Sequence, residues 1–140
     1  MPLSRNIRTF IRAARVAHLA TADSGGQPLV IPICFVFDGN HIYSPIDEKP
    51  KKISPQKLKR LRNIAENPKV SLIIDRYDED WQRLAYVLIT GRGKILLRGT
   101  RHRRAVLLLR QKYPQYKRMT INERPMIVIT PLRMRNWGNF

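Results

Sequence analysis

The sequence predicts a mainly β protein of the α+β class, a small antiparallel barrel with two or three helices outside it. The chain has 140 residues, the length of one domain, and its hydrophobic fraction of 43% is ordinary for a globular protein. Its apolar runs are short and follow one another directly, with turn signals between them. The strongest of these signals is Asp38-Gly39, which stands between two apolar runs and is typical of a hairpin. We therefore interpret residues 1–140 as a single domain.

The first half of the chain contains two helix patterns and three strand patterns. Apolar residues at helical spacing predict a short amphipathic helix over Asn6–Ala14. Ser54-Pro55 opens the second helix, with Ser as its N-cap, and Asn67-Pro68 ends it. The strands are predicted over Val16–Ala22, Leu29–Phe37 and His41–Ser44. Pro32 has no N–H, so we expect it at an unpaired edge, at a bulge or facing a ligand.

The second half continues the same pattern. Gly91 and Gly93 interrupt a long strand pattern, and we expect a bulge or a strong bend there. Thr100 is the predicted N-cap of a third helix that runs to about Tyr113. The strands are predicted over Val70–Asp75, Leu84–Leu97 and Met126–Thr130, the last with an extension past Pro131 toward Trp137 left open.

The charge of the chain is far from ordinary. With 27 basic and 10 acidic residues the net charge is +17, and both halves of the chain carry part of it. This favours an anionic partner: nucleic acid, a membrane surface, or a small phosphorylated or polycarboxylate ligand. No apolar run approaches a membrane span, and the N-terminal arginines are not followed by the apolar core of a signal peptide. The single cysteine, Cys34, excludes a disulfide framework, so we expect a cytoplasmic protein.

The usual catalytic patterns are weak. The histidines have no paired spacing, and we interpret them as structural; Cys34 lies in an apolar run and is expected to be a buried, inert thiol. An acidic group around Asp78 lacks the spacing of a calcium loop, so we interpret it as a solvated loop and predict no metal site. Arg101–Arg104 on the third helix are interpreted as a solvated face.

A basic segment is more informative. Cations crowd the loop before the second helix and the helix itself: Lys49, Lys51, Lys52, Lys57, Lys59, Arg60 and Arg62. They repel one another and oppose the helix dipole, and a phosphate bound at the helix would relieve both effects. A solvated basic face explains the same residues, and the segment alone leaves both interpretations open.

Three stretches together resemble a known family. RVAHLATAD, GQPLVIPICFVFDGNHIYSPID and LKRLRNIAENPKVSLIIDRYDEDW occur in an order and spacing similar to the pyridoxamine 5′-phosphate oxidase-like superfamily. The likeness is greatest to the subgroup that uses the deazaflavin coenzyme F420. It implies a split β-barrel of about six strands that forms a homodimer, with two cofactor sites at the subunit interface.

The resemblance also implies site residues. Backbone of the second strand lines the flavin or deazaflavin ring, at Val30, Ile31, Pro32 and Ile33. The third strand contributes Tyr43 and Ser44, a basic pair grips the phosphate at Lys59 and Arg60, and the loop adds Lys49, Lys51 and Lys52. Aromatic and basic groups come from the partner subunit, and the candidates are Trp81, Arg133, Arg135 and Trp137.

The predicted function is that of a flavin-type oxidoreductase that transfers a hydride to or from a small organic substrate, with solvent or Tyr43 as general acid. We favour coenzyme F420 over FMN, because its oligoglutamate tail suits the surplus of positive charge. The C-terminal arginine motif of the vitamin B6 oxidases has no match, which argues against pyridoxamine phosphate as substrate. The alternatives are a carrier of flavin or haem in the same fold, and a nucleic-acid-binding module, for which no recognised motif is present.

Overall fold

An antiparallel sheet forms the body of the protein in the computed structural model, which describes residues 3–47 and 55–140. Those residues form three α-helices, α1 (Arg5–Ala13), α2 (Pro55–Glu66) and α3 (Thr100–Lys112). They also form seven strands, β1 (Ala17–Ala22), β2 (Pro28–Ile33), β3 (Val36–Phe37), β4 (Ile42–Pro45), β5 (Lys69–Arg76), β6 (Ala85–Leu96) and β7 (Met126–Gly138). Short 3₁₀ helices lie at Trp81–Arg83, Pro114–Arg118 and Ile121–Glu123, none of which the sequence pattern predicted.

The sheet is curled into a half-barrel. Its strand order is β2-β1-β5-β6-β7-β4-β3, and all pairings are antiparallel. β2 is first in this order and β4 is sixth, yet Pro32 of β2 and Ser44 of β4 line the same cavity. The curl therefore brings the two ends of the sheet together without joining them. We call the space between β2 and β4 the barrel gap.

The inside of the half-barrel is one apolar core. Leu19, Leu72, Ile89 and Ile129 from four different strands are buried there, together with Phe35. The four strand residues alternate along their strands with outward-facing ones, as the period of a β-strand requires. A second apolar cluster lies between α3 and the strands β3, β4 and β7.

The first two helices cover the barrel. Ser4 caps α1 by accepting the Ile7 N–H at 3.2 Å, and Ile11 is fully buried in the barrel core. On α2, Ile64 packs into the same core, and Gly93 of β6 lets the helix approach, because a Cβ there would lie 3.3 Å from the Ile64 side chain. Among the described helices none is long and apolar enough to cross a membrane.

The expected bulge lies between β6 and β7. The register shifts between Thr90 and Gly91, because Thr90 pairs with Arg133 and Gly91 pairs with Pro131, which leaves Leu132 as the extra residue. A Cβ on Gly91 would lie 2.2 Å from the Thr130 carbonyl oxygen, so the close approach of the strands requires glycine. β7 continues past Pro131 to Gly138, and the extension that the sequence left open is present.

The predicted strand Leu29–Phe37 is divided in two. β2 ends at Ile33 and β3 begins at Val36, and the break is held by residues from the end of α3. The Tyr113 hydroxyl accepts the Phe35 N–H at 3.1 Å, and the Lys112 ammonium donates to the Phe35 carbonyl at 2.9 Å. The Asp38-Gly39 hairpin that follows is confirmed, with β3 paired to β4 and Gly39 at a φ of +100°.

The start of α3 differs from the prediction. Gly99, not Thr100, is the N-cap, and its carbonyl accepts the N–H of Arg103 at 3.0 Å. Gly99 has a φ of +109°, so the chain turns into the helix one residue earlier than expected. The Thr100 hydroxyl instead accepts from the Arg103 side chain. The predicted N-cap of α2, Ser54, lies outside the described residues.

Candidate functional site

A cavity of about 240 Å³ occupies the barrel gap. Its walls come from β2 and the break after it, from β4 and the residues that follow, and from α2. The lining residues are Val16, Pro32, Ile33, Cys34, Ser44, Pro45, Asp47 and Arg60. The structure thus brings together four residues that the sequence assigned to a cofactor site, Pro32, Ile33, Ser44 and Arg60.

The edge position of β2 explains why its backbone is accessible from the gap. β2 pairs with β1 on one side and is the first strand of the sheet, and no strand among residues 3–47 and 55–140 pairs with its other side. Pro32, which pairs with His18, lacks an N–H and is tolerated at such an edge. The expectation of an edge position for Pro32 is confirmed, and a flat ligand placed in the gap would meet this side of β2.

Arg60 supplies a buried cation. Its side chain projects from α2 into the cavity wall and is only 3% exposed. One turn later on the same helix, the Asn63 amide donates to the Thr21 hydroxyl at 3.0 Å, which ties α2 to β1. A guanidinium fixed in this way is suited to a phosphate or carboxylate, because it offers several N–H donors in one plane.

Asp47 places a carboxylate in the same cavity. The buried Tyr116 hydroxyl donates to its Oδ2 at 3.0 Å. Burial, and then the charge of Asp47, raise the pKa of Tyr116 far above its usual value, so the hydroxyl keeps its proton. Sequence reasoning missed both residues. Asp47 closely follows Ser44 and could have been noticed, whereas Tyr116 is 69 residues away and no local pattern connects the two.

Cys34 also lines the cavity and is partly exposed. The expectation of a buried thiol is therefore wrong, whereas its inertness stays a prediction. The cause is the break between β2 and β3, which takes Cys34 out of the ladder and places it beside the gap.

Two predicted residues point away from the cavity. Tyr43 belongs to the second apolar cluster, and its hydroxyl donates to Asp38 at 3.2 Å. The Lys59 ammonium lies 3.7 Å from the Asp23 carboxylate, at the surface of α2. Each is the neighbour in sequence of a residue that does line the cavity, Ser44 and Arg60 respectively.

The remaining predictions on β2 and in the loops fall outside the cavity lining. Val30 is 62% exposed on the outer face of β2, and Ile31 packs against the barrel core. Trp81 is 72% exposed in the first 3₁₀ helix. Lys49, Lys51 and Lys52 lie outside the described residues.

The predicted partner-supplied residues share one exposed face of β7. Arg133 and Arg135 line a second cavity of about 230 Å³ with Leu88 and Thr90 of β6. Trp137 stacks on Tyr86, with ring centroids 5.9 Å apart. We call this group, Arg133, Arg135 and Trp137, the outer-face cluster. It does not contribute to the lining of the cavity in the barrel gap.

The remaining titratable groups in the described residues form no metal centre. Among them, no three His, Cys, Asp or Glu side chains are placed to hold an ion. His102 is buried, and its Nε2 bonds to the Arg124 carbonyl at 2.6 Å, which agrees with a structural role.

A comparison with known protein families identifies the family of the chain. The family described as pyridoxamine 5′-phosphate oxidase matches residues 3–138. The chain belongs to this family. The resemblance found in the sequence is thereby confirmed, and the half-barrel with its three helices is a split barrel of the α+β class.

Solved structures of the same fold come from several bacteria. The conserved hypothetical protein Rv2991 from Mycobacterium tuberculosis matches with a TM-score of 0.76 and 23% identity, over 99% of this chain and 86% of that one. HutZ, the haem storage protein from Vibrio cholerae, matches with a TM-score of 0.72 and 15% identity, over 99% and 95% of the two chains. A haem-binding protein from Mycobacterium smegmatis matches with a TM-score of 0.76 and 19% identity, over 100% of this chain and 56% of that one.

At these identities the likeness concerns the fold alone. No curated protein matches the chain by sequence. A shared fold does not fix the ligand.

Proposed function

We propose that this protein is a flavin-type oxidoreductase that binds coenzyme F420 or FMN in the barrel gap and acts on a small organic substrate as a homodimer. When bound, such a cofactor supplies the hydride-transfer chemistry. The chain supplies binding, orientation and electrostatics.

The observation that carries the proposal is the set of residues that line the cavity in the barrel gap, which we call the gap cavity. A buried arginine, a backbone edge at Pro32 and Ile33, and the Ser44 side chain line the same 240 Å³. The arginine suits a cofactor phosphate, and the strand edge suits a planar ring. Asp47, held by Tyr116, offers an acceptor to a hydroxyl or N–H of the ligand, while its charge keeps a phosphate on the Arg60 side of the cavity.

The proposal of a dimer is supported by the size of the cavity in a single chain. A cavity of 240 Å³ is below the range of about 300–1,000 Å³ that is typical of small-molecule sites, so a second surface is needed to enclose a flavin. The outer face of the sheet carries exposed apolar residues, with Val30 and Leu132 more than 60% exposed. A two-fold dimer would cover this face and bring the outer-face cluster of one subunit to the gap of the other.

Our preference for coenzyme F420 over FMN depends on charge. The net charge is +17, and Arg60 alone can meet the need of one phosphate. The loop lysines Lys49, Lys51 and Lys52 are then available to an acidic tail.

The test is a titration of the purified protein with F420 and with FMN, in which the visible absorption of the cofactor reports binding. We expect saturable binding of F420 and weaker binding of FMN at low ionic strength, at one equivalent per chain. Oxidation or reduction of the bound cofactor by a panel of small substrates then tests the activity. Absence of binding by both cofactors would contradict the proposal.

A second candidate is a haem carrier of the same fold, favoured by the two solved structures whose names state haem storage and haem binding. No histidine belongs to the lining of the gap cavity in the described part of the chain, so the ligand of a haem iron would have to come from elsewhere. Haem titration in the same experiment distinguishes the two: an intense absorption band at saturating haem, together with no flavin binding, would favour the carrier.

A further inference from the structure

A separate cavity of about 330 Å³ lies between α1, β3 and α3. Its lining residues are Arg12, Val36, Phe37, Leu108, Gln111 and Lys112. Val36 and Phe37 form an apolar floor, and cations stand on both walls. The described lining contains no carboxylate. We call this cavity the helix groove.

Lys112 is fixed in one wall of the helix groove. Its ammonium donates to the Phe35 carbonyl at 2.9 Å and lies 4.0 Å from the centre of the Phe35 ring. The Arg15 guanidinium donates to the Lys112 carbonyl at 3.0 Å, so a second positive charge lies next to this residue. Burial, and then the charge of Arg15, lower the pKa of Lys112 to about 8. An anion in the groove would stabilise this partly desolvated cation.

Arg12 stands on the other wall. Within the described residues its guanidinium has no hydrogen-bond or ion-pair partner. Its Nη2 lies 3.6 Å from the position that a Cβ would take on Gly39, and the Arg8 Nη1 lies 3.5 Å from the same position. Two guanidinium groups therefore meet at the tip of the β3–β4 hairpin.

The Asp38 carboxylate, which lies beside Gly39 in the same turn, already has hydrogen-bond partners. Its Oδ1 accepts the N–H groups of Asn40 and His41, and its Oδ2 accepts the Tyr43 hydroxyl. Burial alone would raise the pKa of Asp38, but these hydrogen bonds lower it below the usual value, so the group serves the turn as a carboxylate. The cations of the helix groove are thus left to an external anion.

We propose that the helix groove is a binding site for a small organic anion, whose apolar body lies on Val36, Phe37 and Leu108 and whose charged group lies between Arg12 and Lys112. The volume is within the range of small-molecule sites, about 300–1,000 Å³. The site is distinct from the gap cavity, because the two share no lining residue. It does not depend on the proposed cofactor.

The experiment uses anilinonaphthalene sulfonate, an aromatic anion whose fluorescence rises in an apolar site, with the whole chain. We expect Arg12→Gln and Lys112→Gln each to weaken its binding about tenfold, the loss of one charge-assisted hydrogen bond. Arg5→Gln, an exposed arginine of α1 outside the groove, is the matched control and should bind as the unmodified protein does. Arg60→Met reports on the gap cavity and should also leave this binding unchanged.

Inorganic phosphate distinguishes an amphipathic site from a merely basic surface. We expect it to compete only weakly, since it has no apolar body. A readout without any mutation is acetylation of Lys112 at about pH 8, followed by mass spectrometry, which the probe should slow. The proposal would be overturned if both groove variants bound the probe with unchanged affinity, or if only Arg60→Met lost affinity. It would also be overturned if phosphate bound the site as tightly as the probe does, or if saturating probe left the acetylation rate of Lys112 unchanged.

Discussion

The gap cavity and the outer-face cluster carry cations in opposite settings. Arg60 is 3% exposed, is held on a helix that is tied to β1, and lines the cavity in the barrel gap. Arg133 and Arg135 are exposed side chains on the outer face of the sheet, which a second surface could cover. A buried cation is positioned by folding before any ligand arrives, whereas an exposed pair needs a covering surface to become selective.

The two regions also lie on different parts of the sheet within one chain. The gap is lined by β2 and β4, and β4 pairs only with the first residues of β7, whereas the outer-face cluster stands on the later part of β7, which pairs with β6. The proposed dimer would bring the outer-face cluster of one subunit to the gap of the other. The predictions below test this division, from the largest expected effect to the smallest.

Breaking the dimer should have the largest effect. We expect Leu132→Asp to raise the dissociation constant of the dimer at least about 30-fold, the cost of a central interface residue, and to abolish cofactor binding with it. Leu132 is 61% exposed at the β6–β7 bulge, whereas the control Leu107→Asp changes a residue that is 59% exposed on α3. Sedimentation and flavin titration check both. A Leu132→Asp monomer that still binds cofactor normally would contradict the shared site.

Removing the buried cation comes next. Arg60→Met should weaken cofactor binding about 10- to 100-fold, because a charge-assisted hydrogen bond to the phosphate is lost inside a buried site. Lys59→Met should change it by no more than about threefold, since an exposed cation paired with Asp23 contributes little. Calorimetric titration measures both. Equal losses of affinity in the two variants would indicate that Lys59 and Arg60 both bind the phosphate, as the sequence predicted.

The outer-face cluster should contribute less per residue. The triple variant Arg133→Gln, Arg135→Gln and Trp137→Ala should remain dimeric and bind the cofactor about tenfold more weakly, through lost ionic and stacking contacts. The same titration, with sedimentation to verify the dimer, checks it. If the triple variant binds as the unmodified protein does, these side chains are not part of the site.

The smallest effect concerns the choice of cofactor. Neutralising Lys49, Lys51 and Lys52 should narrow the preference for F420 over FMN at low salt, because exposed ion pairs contribute about 0–1 kcal/mol each. FMN binding should be nearly unchanged, and added salt should reduce the preference in the unmodified protein. Titrations at two ionic strengths check both points. FMN binding tighter than F420 binding at every salt concentration would indicate an FMN protein.

Local signals in the sequence predicted most of the sheet. Asp38-Gly39 predicted the β3–β4 hairpin, because Gly39 adopts a positive φ that few residues tolerate. Gly91 predicted the bulge, because the backbone of Thr130 comes too close for any side chain. The break at Phe35 had no such signal. It depends on Tyr113 and Lys112, nearly 80 residues away along the chain.

Four of the residues that the sequence assigned to a cofactor site line the candidate cavity, whereas their sequence neighbours Tyr43 and Lys59 do not. On β4, Ser44 lines the gap, whereas the preceding Tyr43 points to the opposite face of the strand and is buried in the second apolar cluster. Adjacent residues of a helix are separated by about 100°, which turns Lys59 to the surface when Arg60 is buried. The family resemblance assigned both members of each pair to the site, and the packing of the folded chain places only Ser44 and Arg60 in the cavity lining.

The most direct test of the shared site is a mixed dimer of two defective subunits. One subunit carries Arg60→Met and the other carries the triple outer-face change, and differently tagged chains are co-expressed and purified as the heterodimer. If each site takes Arg60 from one subunit and the outer-face cluster from the other, one site of the mixed dimer is intact and the other is doubly defective. We therefore expect half an equivalent of cofactor per chain to bind with the affinity of the unmodified protein. A mixed dimer with no site of that affinity would contradict the account.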